Sequence, residues 1–94
     1  MIGREYVVPA SSGVLELGFH ARNVFLVVEP EAGEGSIEVF VDGEEAGATA
    51  DVADGVVTPR ESRLYQLVGL DEAGEHVLRL RVEGKLRLFA FTFG

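Results

Sequence analysis

The alternation of apolar and polar positions is most telling at the C-terminal end. In residues 86–93, Phe89, Phe91 and Phe93 fall on one side of an extended chain, and Leu86, Leu88, Ala90 and Thr92 fall on the other. Neither side is polar, so the pattern predicts a strand that needs cover on both faces. Residues 76–82 alternate more simply, with Leu78, Leu80 and Val82 inward and Arg79 and Arg81 outward. Leu15, Leu17 and Phe19 likewise oppose Glu16 and His20, and Ile37, Val39 and Val41 oppose Glu38 and Phe40. Val24-Phe25-Leu26-Val27-Val28 is a continuous apolar run. It is short for a helix and fits a central strand buried on both faces.

Turn residues separate these runs. Tyr6-Val7-Val8 reads as an edge strand stopped by Pro9 and by the turn residues Ser11-Ser12-Gly13. Ala21-Arg22-Asn23 can reverse the chain. Residues 29–35 form an acidic, glycine-rich loop. Asp42-Gly43 is the strongest hairpin signal, with Glu44-Glu45-Ala46 as the returning arm. Residues 47–60 read as a long loop holding one small strand at Val56-Val57-Thr58. Residues 63–68 form a strand with apolar groups on both faces, and Asp71-Glu72-Ala73-Gly74 is a turn. For the last hairpin, a Glu83-Gly84-Lys85 loop pairs Val82 with Leu86, Leu80 with Leu88 and Leu78 with Ala90. That register gives one apolar face and leaves Arg79, Arg81, Arg87, Phe89 and Phe91 on the other.

No amphipathic helix and no repeat is visible. The pattern predicts an all-β fold, a jelly-roll β-sandwich of about eight antiparallel strands in a single domain.

Composition narrows the function classes. The chain has 94 residues and 47% hydrophobic content, enough for one core without staples. It has no cysteine, so disulfides, zinc-thiolate sites and thiol redox chemistry are excluded. Sixteen acidic residues face eight basic ones, a net charge of −8, which argues against nucleic acid and anionic lipid as partners. No run is long enough for a membrane helix, and residues 1–5 carry no signal-peptide pattern. The start fits a native cytoplasmic protein and equally the cut edge of a longer one.

Three segments carry a resemblance. They are Leu17-Gly18-Phe19-His20-Ala21-Arg22-Asn23-Val24-Phe25-Leu26-Val27, then Ala50-Asp51-Val52 leading to Arg63-Leu64-Tyr65-Gln66-Leu67-Val68, and Gly74-Glu75-His76 running to Phe89-Ala90-Phe91-Thr92-Phe93-Gly94. In this order and spacing they resemble the C-terminal domain of DipZ-type thioredoxin-like proteins, which are linked to cytochrome c biogenesis. The resemblance implies a jelly roll similar to carbohydrate-binding modules, attached after a thioredoxin-like domain and extracytoplasmic in that context. The redox cysteines of that family lie in the thioredoxin domain, so no redox activity carries over to this chain.

Sugar recognition needs flat aromatic faces flanked by hydrogen-bonding side chains. The candidates are Tyr65, Phe89 and Phe91, with Tyr6, accompanied by Arg63, Gln66, His20 and Arg79. Core packing is the competing reading for each aromatic, and the lack of Trp removes the largest stacking face. Asp51-Val52-Ala53-Asp54-Gly55 resembles half a calcium loop but lacks the EF-hand spacing, so an ordinary acidic turn fits better. His20 and His76 have no third ligand marked nearby, and no serine has a nucleophile-elbow context. The expectations are therefore no cofactor, no metal and no catalysis. Two partner classes stand: a carbohydrate, or a protein surface supplied by a thioredoxin-like domain or a second copy of the chain.

Overall fold

The computed structural model describes the backbone of residues 3–5 and 11–94, and the side chains of residues 13–30, 35–84 and 86–94. The expected strand at Tyr6-Val7-Val8 lies outside the described residues. Those described form an all-β antiparallel sheet with no helix: β1 (Gly3–Glu5), β2 (Ser11–Val41), β3 (Glu44–Glu45), β4 (Val56–Val57) and β5 (Arg63–Phe93).

β2 and β5 are each 31 residues long. A straight strand of that length would span about 100 Å, yet the longest dimension of the molecule is 36 Å. Each strand therefore folds back on itself, and the pairing shows where. Residues 11–21 pair with 74–84, from Ser11↔Gly84 to Ala21↔Gly74. Residues 35–41 pair with the other edge of 78–84, so Leu80 lies between Leu15 and Val39. Residues 23–30 lie between 63–69 and 86–93, so Leu26 lies between Tyr65 and Phe91. β1 adds outside 90–92, while β3 and β4 add outside 35–41. One apolar cluster joins the two groups of segments.

Burial follows the expected alternation where the register is regular. Leu78, Leu80, Ile37 and Val39 are buried, and Arg79 and Arg81 are exposed. Each fully buried Leu or Ile here contributes roughly 1.5–3 kcal/mol of transfer free energy. The Asp42-Gly43 hairpin is also as expected. Val41 pairs with Glu44, and both turn residues have positive φ, 52° and 84°, as a type I′ turn requires. Val56 and Val57 form the small strand inside the long loop.

Several expectations are corrected. Ser11, Ser12 and Gly13 are strand, paired with Gly84, Glu83 and Val82. The 29–35 and 71–74 stretches run through as parts of β2 and β5 rather than as separate loops. The Val82–Leu86 hairpin does not form. A strand has only two edges, and Leu80 uses both, on Leu15 and Val39, while Leu88 pairs with Val28. The run 24–28 is central, but only Val24, Leu26 and Val28 are buried; Phe25 and Val27 on the other face are half-buried.

The phenylalanine stretch does not keep one parity. Val28 pairs with Leu88 and Leu26 with Phe91, so the 86–93 side carries an extra residue between them. This bulge reverses the alternation. Leu86 and Leu88 are buried, and then Phe91 is buried in place of Ala90. A second shift, from Phe25↔Gln66 to Val24↔Val68, brings Leu67 and Val68 both into the core. It accounts for the apolar groups on both faces of residues 63–68.

Candidate functional site

The expected ligand residues fall into separate places. Arg63, Tyr65 and Gln66 come together around Asp51, on the outer edge of segment 63–69. Arg63 Nη2 is 2.6 Å from Asp51 Oδ1, and the Gln66 backbone N–H donates to Asp51 Oδ2 at 2.8 Å. The Thr49 hydroxyl donates to the Gln66 carbonyl at 2.8 Å and accepts from the N–H groups of Asp51 and Val52. Gln66 Nε2 donates to Asn23 Oδ1 at 3.2 Å. Both backbone groups of Gln66 are thus taken by the 49–51 segment, which closes this sheet edge.

Tyr65 is buried, at 3% exposure, so it offers no face to a sugar. Its hydroxyl donates to the Glu61 carbonyl at 2.6 Å and accepts from the N–H groups of Arg60 and Glu61. The Arg63 guanidinium covers its ring at 4.0 Å. Phe91 is fully buried, which removes the second expected platform. Phe89 is half-buried and stands apart from this cluster. Tyr6 lies outside the described residues.

The Asp51 carboxylate is also spent. The Arg63 guanidinium holds its carboxyl below the ordinary range, partial burial works against this, and the Gln66 N–H adds to it. Asp54-Gly55 is a turn with φ of 53° and 75°, closed by the Ala53↔Val56 bridge. No group of three metal-ligating side chains occurs among the described residues.

His20 and Arg79 lie elsewhere, on the outward side of the regular ladder. Pairing puts them in successive rows: Glu16, Arg79 and Phe40; then Gly18 and Val77; then His20 and Glu75. Gly18 leaves a notch, since a Cβ there would meet nothing within 4 Å. An open cleft lies at this point, lined by Gly18, His20, Asp42, Glu75, His76 and Val77. Phe40, in the neighbouring row, is outward and half-buried.

Asp42 anchors the cleft. Its position at the type I′ turn brings its carboxylate over the neighbouring segment. There Oδ2 lies 2.6 Å from His76 Nδ1, and Oδ1 accepts from the Val77 N–H at 2.9 Å. An ionised carboxylate only accepts, so the imidazole supplies the proton of the first bond. That bond, with the Val77 N–H second, holds the Asp42 carboxyl below its ordinary value. The His76 ring packs on Phe19 at 5.6 Å, and Phe19 stacks on Phe93 at 6.0 Å. The cleft is therefore fixed to the core through ring contacts. Sequence reading missed Phe40, Asp42, Glu75 and His76 as site residues. The signal was present in the outward parity of Phe40 and in the Asp42-Gly43 hairpin.

The geometry defines an all-β domain with hydrogen-bonding side chains on an open sheet face. Along residues 1–94 the chain matches the model of the thioredoxin like C-terminal domain, and it belongs to that family. No curated protein matches it.

Proposed function

We propose that this chain is a non-catalytic accessory module of a DipZ-type thioredoxin-like protein, built as a jelly-roll sandwich and similar to carbohydrate-binding modules. Family membership supports the context. The pairing order supports the jelly roll. With each long strand divided at its bends, one layer runs β1, 86–93, 23–30, 63–69, and the other runs 11–21, 74–84, 35–41, with β3 and β4 outside. The chain crosses between layers at each bend, giving about eight strands in the Greek-key order.

The observation that carries the sugar reading is the open cleft over Gly18. A pyranose has an apolar C–H face and a hydroxyl rim. Val77 and Phe40 supply apolar surface, and His20, Glu75 and Arg79 supply donors and acceptors on the same face, while the Asp42 carboxylate, held by His76 and the Val77 N–H, fixes the rim. Arg63 and Gln66, also expected as ligand residues, are occupied at the Asp51 edge.

A glycan array at millimolar sugar tests this reading. The expected result is retention of a defined sugar class by the native chain. Gly18→Val has room for its Cβ, and the expected outcome is a variant with native circular dichroism that fills the notch and abolishes retention. Binding of no sugar at millimolar concentration would rule the reading out.

One observation favours a protein partner as a second reading. On the outward side of the bulged ladder, Phe25, Val27 and Phe89 are half-buried and Leu64 is 46% exposed. This apolar face, bounded by the Glu29–Arg87 pair at 3.7 Å, fits docking on a thioredoxin-like domain. Arg79 and Arg81, expected on the same face as Phe89, belong to the other ladder. Co-sedimentation with a thioredoxin-like domain separates the two readings. Complex formation lost in Leu64→Glu supports docking, and no complex at ~0.1 mM of each protein rejects it.

A further inference from the structure

The outer edges of the sheet are treated differently. Edge 63–69 has its Gln66 N–H and C=O closed by Asp51 and Thr49. Segment 35–41 is covered outside by β3 and β4. Segment 11–21 has no such cover: among the described residues, those from Gly13 to Ala21 pair only with the 74–84 side.

The direction of its free groups follows from parity. Asp42 N donates to Val77 O at 2.9 Å, so Val77 turns its backbone polar groups toward the 35–41 side. Its neighbour His76 then turns toward 11–21, where it pairs with Phe19. Alternation leaves the N–H and C=O of Val14, Glu16, Gly18 and His20 pointing to the open edge. Among the described residues nothing bonds to them there. This edge has no bulge, and from Gly13 to Ala21 it has no Pro and no Lys, the usual devices that blunt an edge.

We propose that segment 11–21 pairs with the same segment of a second copy, as an antiparallel addition across a two-fold axis at Gly18. Charge selects both occupant and register. With Gly18 opposite Gly18, Glu16 lies opposite His20 of the second copy, and the symmetry repeats the pair. Val14, 57% exposed, then lies opposite Arg22 at the end of the ladder, where the Arg22 N–H is already given to the Gly94 carbonyl. A register centred on Glu16 would oppose two carboxylates and is disfavoured. The net charge of −8 on each copy opposes association at low salt, so the contact forms at ionic strengths that screen beyond ~8 Å. The proposal does not require sugar binding, although Gly18 and His20 belong to both the edge and the cleft.

Sedimentation velocity across a concentration series at ~0.15 M salt tests it. A reversible dimer is expected. Val14→Pro removes an outward N–H that the fold does not use, and weakens dimerisation about tenfold or more. His20→Glu alone places two carboxylates opposite one another and does the same. Combining Glu16→Lys with His20→Glu restores opposite charges and recovers the dimer, an outcome that loss of folding cannot produce. A monomer at all concentrations overturns the proposal, as does a dimer untouched by Val14→Pro or a double variant that fails to recover.

Discussion

Two aspartates make the same kind of clasp at different places in the fold, and their surroundings separate their roles. Asp51 accepts from the Arg63 guanidinium and the Gln66 N–H. Asp42 accepts from the His76 ring and the Val77 N–H. In each case one oxygen takes a strand N–H and the other takes a side chain on the same strand. The Asp51 side chain is 13% exposed and its cation is permanently charged. The Asp42 side chain is 51% exposed, and its partner is an imidazole beside an open cleft. The first clasp closes an edge over a buried tyrosine. The second holds a turn against a sheet face that remains accessible. Both carboxylates are satisfied within the chain; they differ in that only the Asp42 clasp borders an open cleft.

The largest expected contrast is between the ring under each clasp. Tyr65→Ala removes a buried ring and the hydroxyl that ties down Arg60 and Glu61. It should cost about 3–5 kcal/mol in urea unfolding. His76→Ala, at the open clasp, should cost clearly less. Equal losses would erase the distinction between the two regions.

The aspartates themselves come next. Asp51→Ala strands the Gln66 N–H at a partly buried edge and should cost about 1–3 kcal/mol, discounted toward the lower end because Arg63 is 44% exposed. Asp42→Ala should lower the melting temperature by less, since solvent replaces both of its bonds. Differential scanning calorimetry of the two variants ranks them directly.

Acid gives the smallest and most diffuse effect. Both carboxyls are held below their ordinary value of 3.8 in the folded chain. Above that value they are ionised whether the chain is folded or unfolded, and their contribution is fully present. As the pH falls below 3.8, the unfolded chain takes up protons first, and the contribution is lost as the folded carboxyls protonate in turn. Urea midpoints should therefore fall toward pH ~3, and the part due to Asp51 should be missing from Asp51→Ala.

Much of the fold was legible because apolar parity survives wherever the register is regular. Leu78, Leu80, Ile37 and Val39 are where alternation puts them, and Asp42-Gly43 turns where its dipeptide demands. What misled the reading was the pair of bulges. One extra residue near Ala90 moves Phe91 inside, and one at Leu67 buries both Leu67 and Val68. No local composition marks those insertions, because they arise from pairing with the distant segment 23–30. The last hairpin failed for a related reason. Its apolar match was sound, but both edges of 78–84 were already taken by β2. At the site, Arg63, Tyr65 and Gln66 have the residue types of a sugar site, yet Asp51 takes the Arg63 guanidinium, the 60–61 backbone takes the Tyr65 hydroxyl and Asn23 takes the Gln66 amide. Residue type was readable there; the far partner was not.

The contrast between the clasps is tested most directly by an amide NMR titration of the native chain with the sugars retained on an array. The account predicts shifts at Gly18, Glu75, His76 and Val77, with Asp51, Arg63 and Gln66 unmoved. Shifts confined to Asp51, Arg63 and Gln66, or none at millimolar sugar, would contradict it.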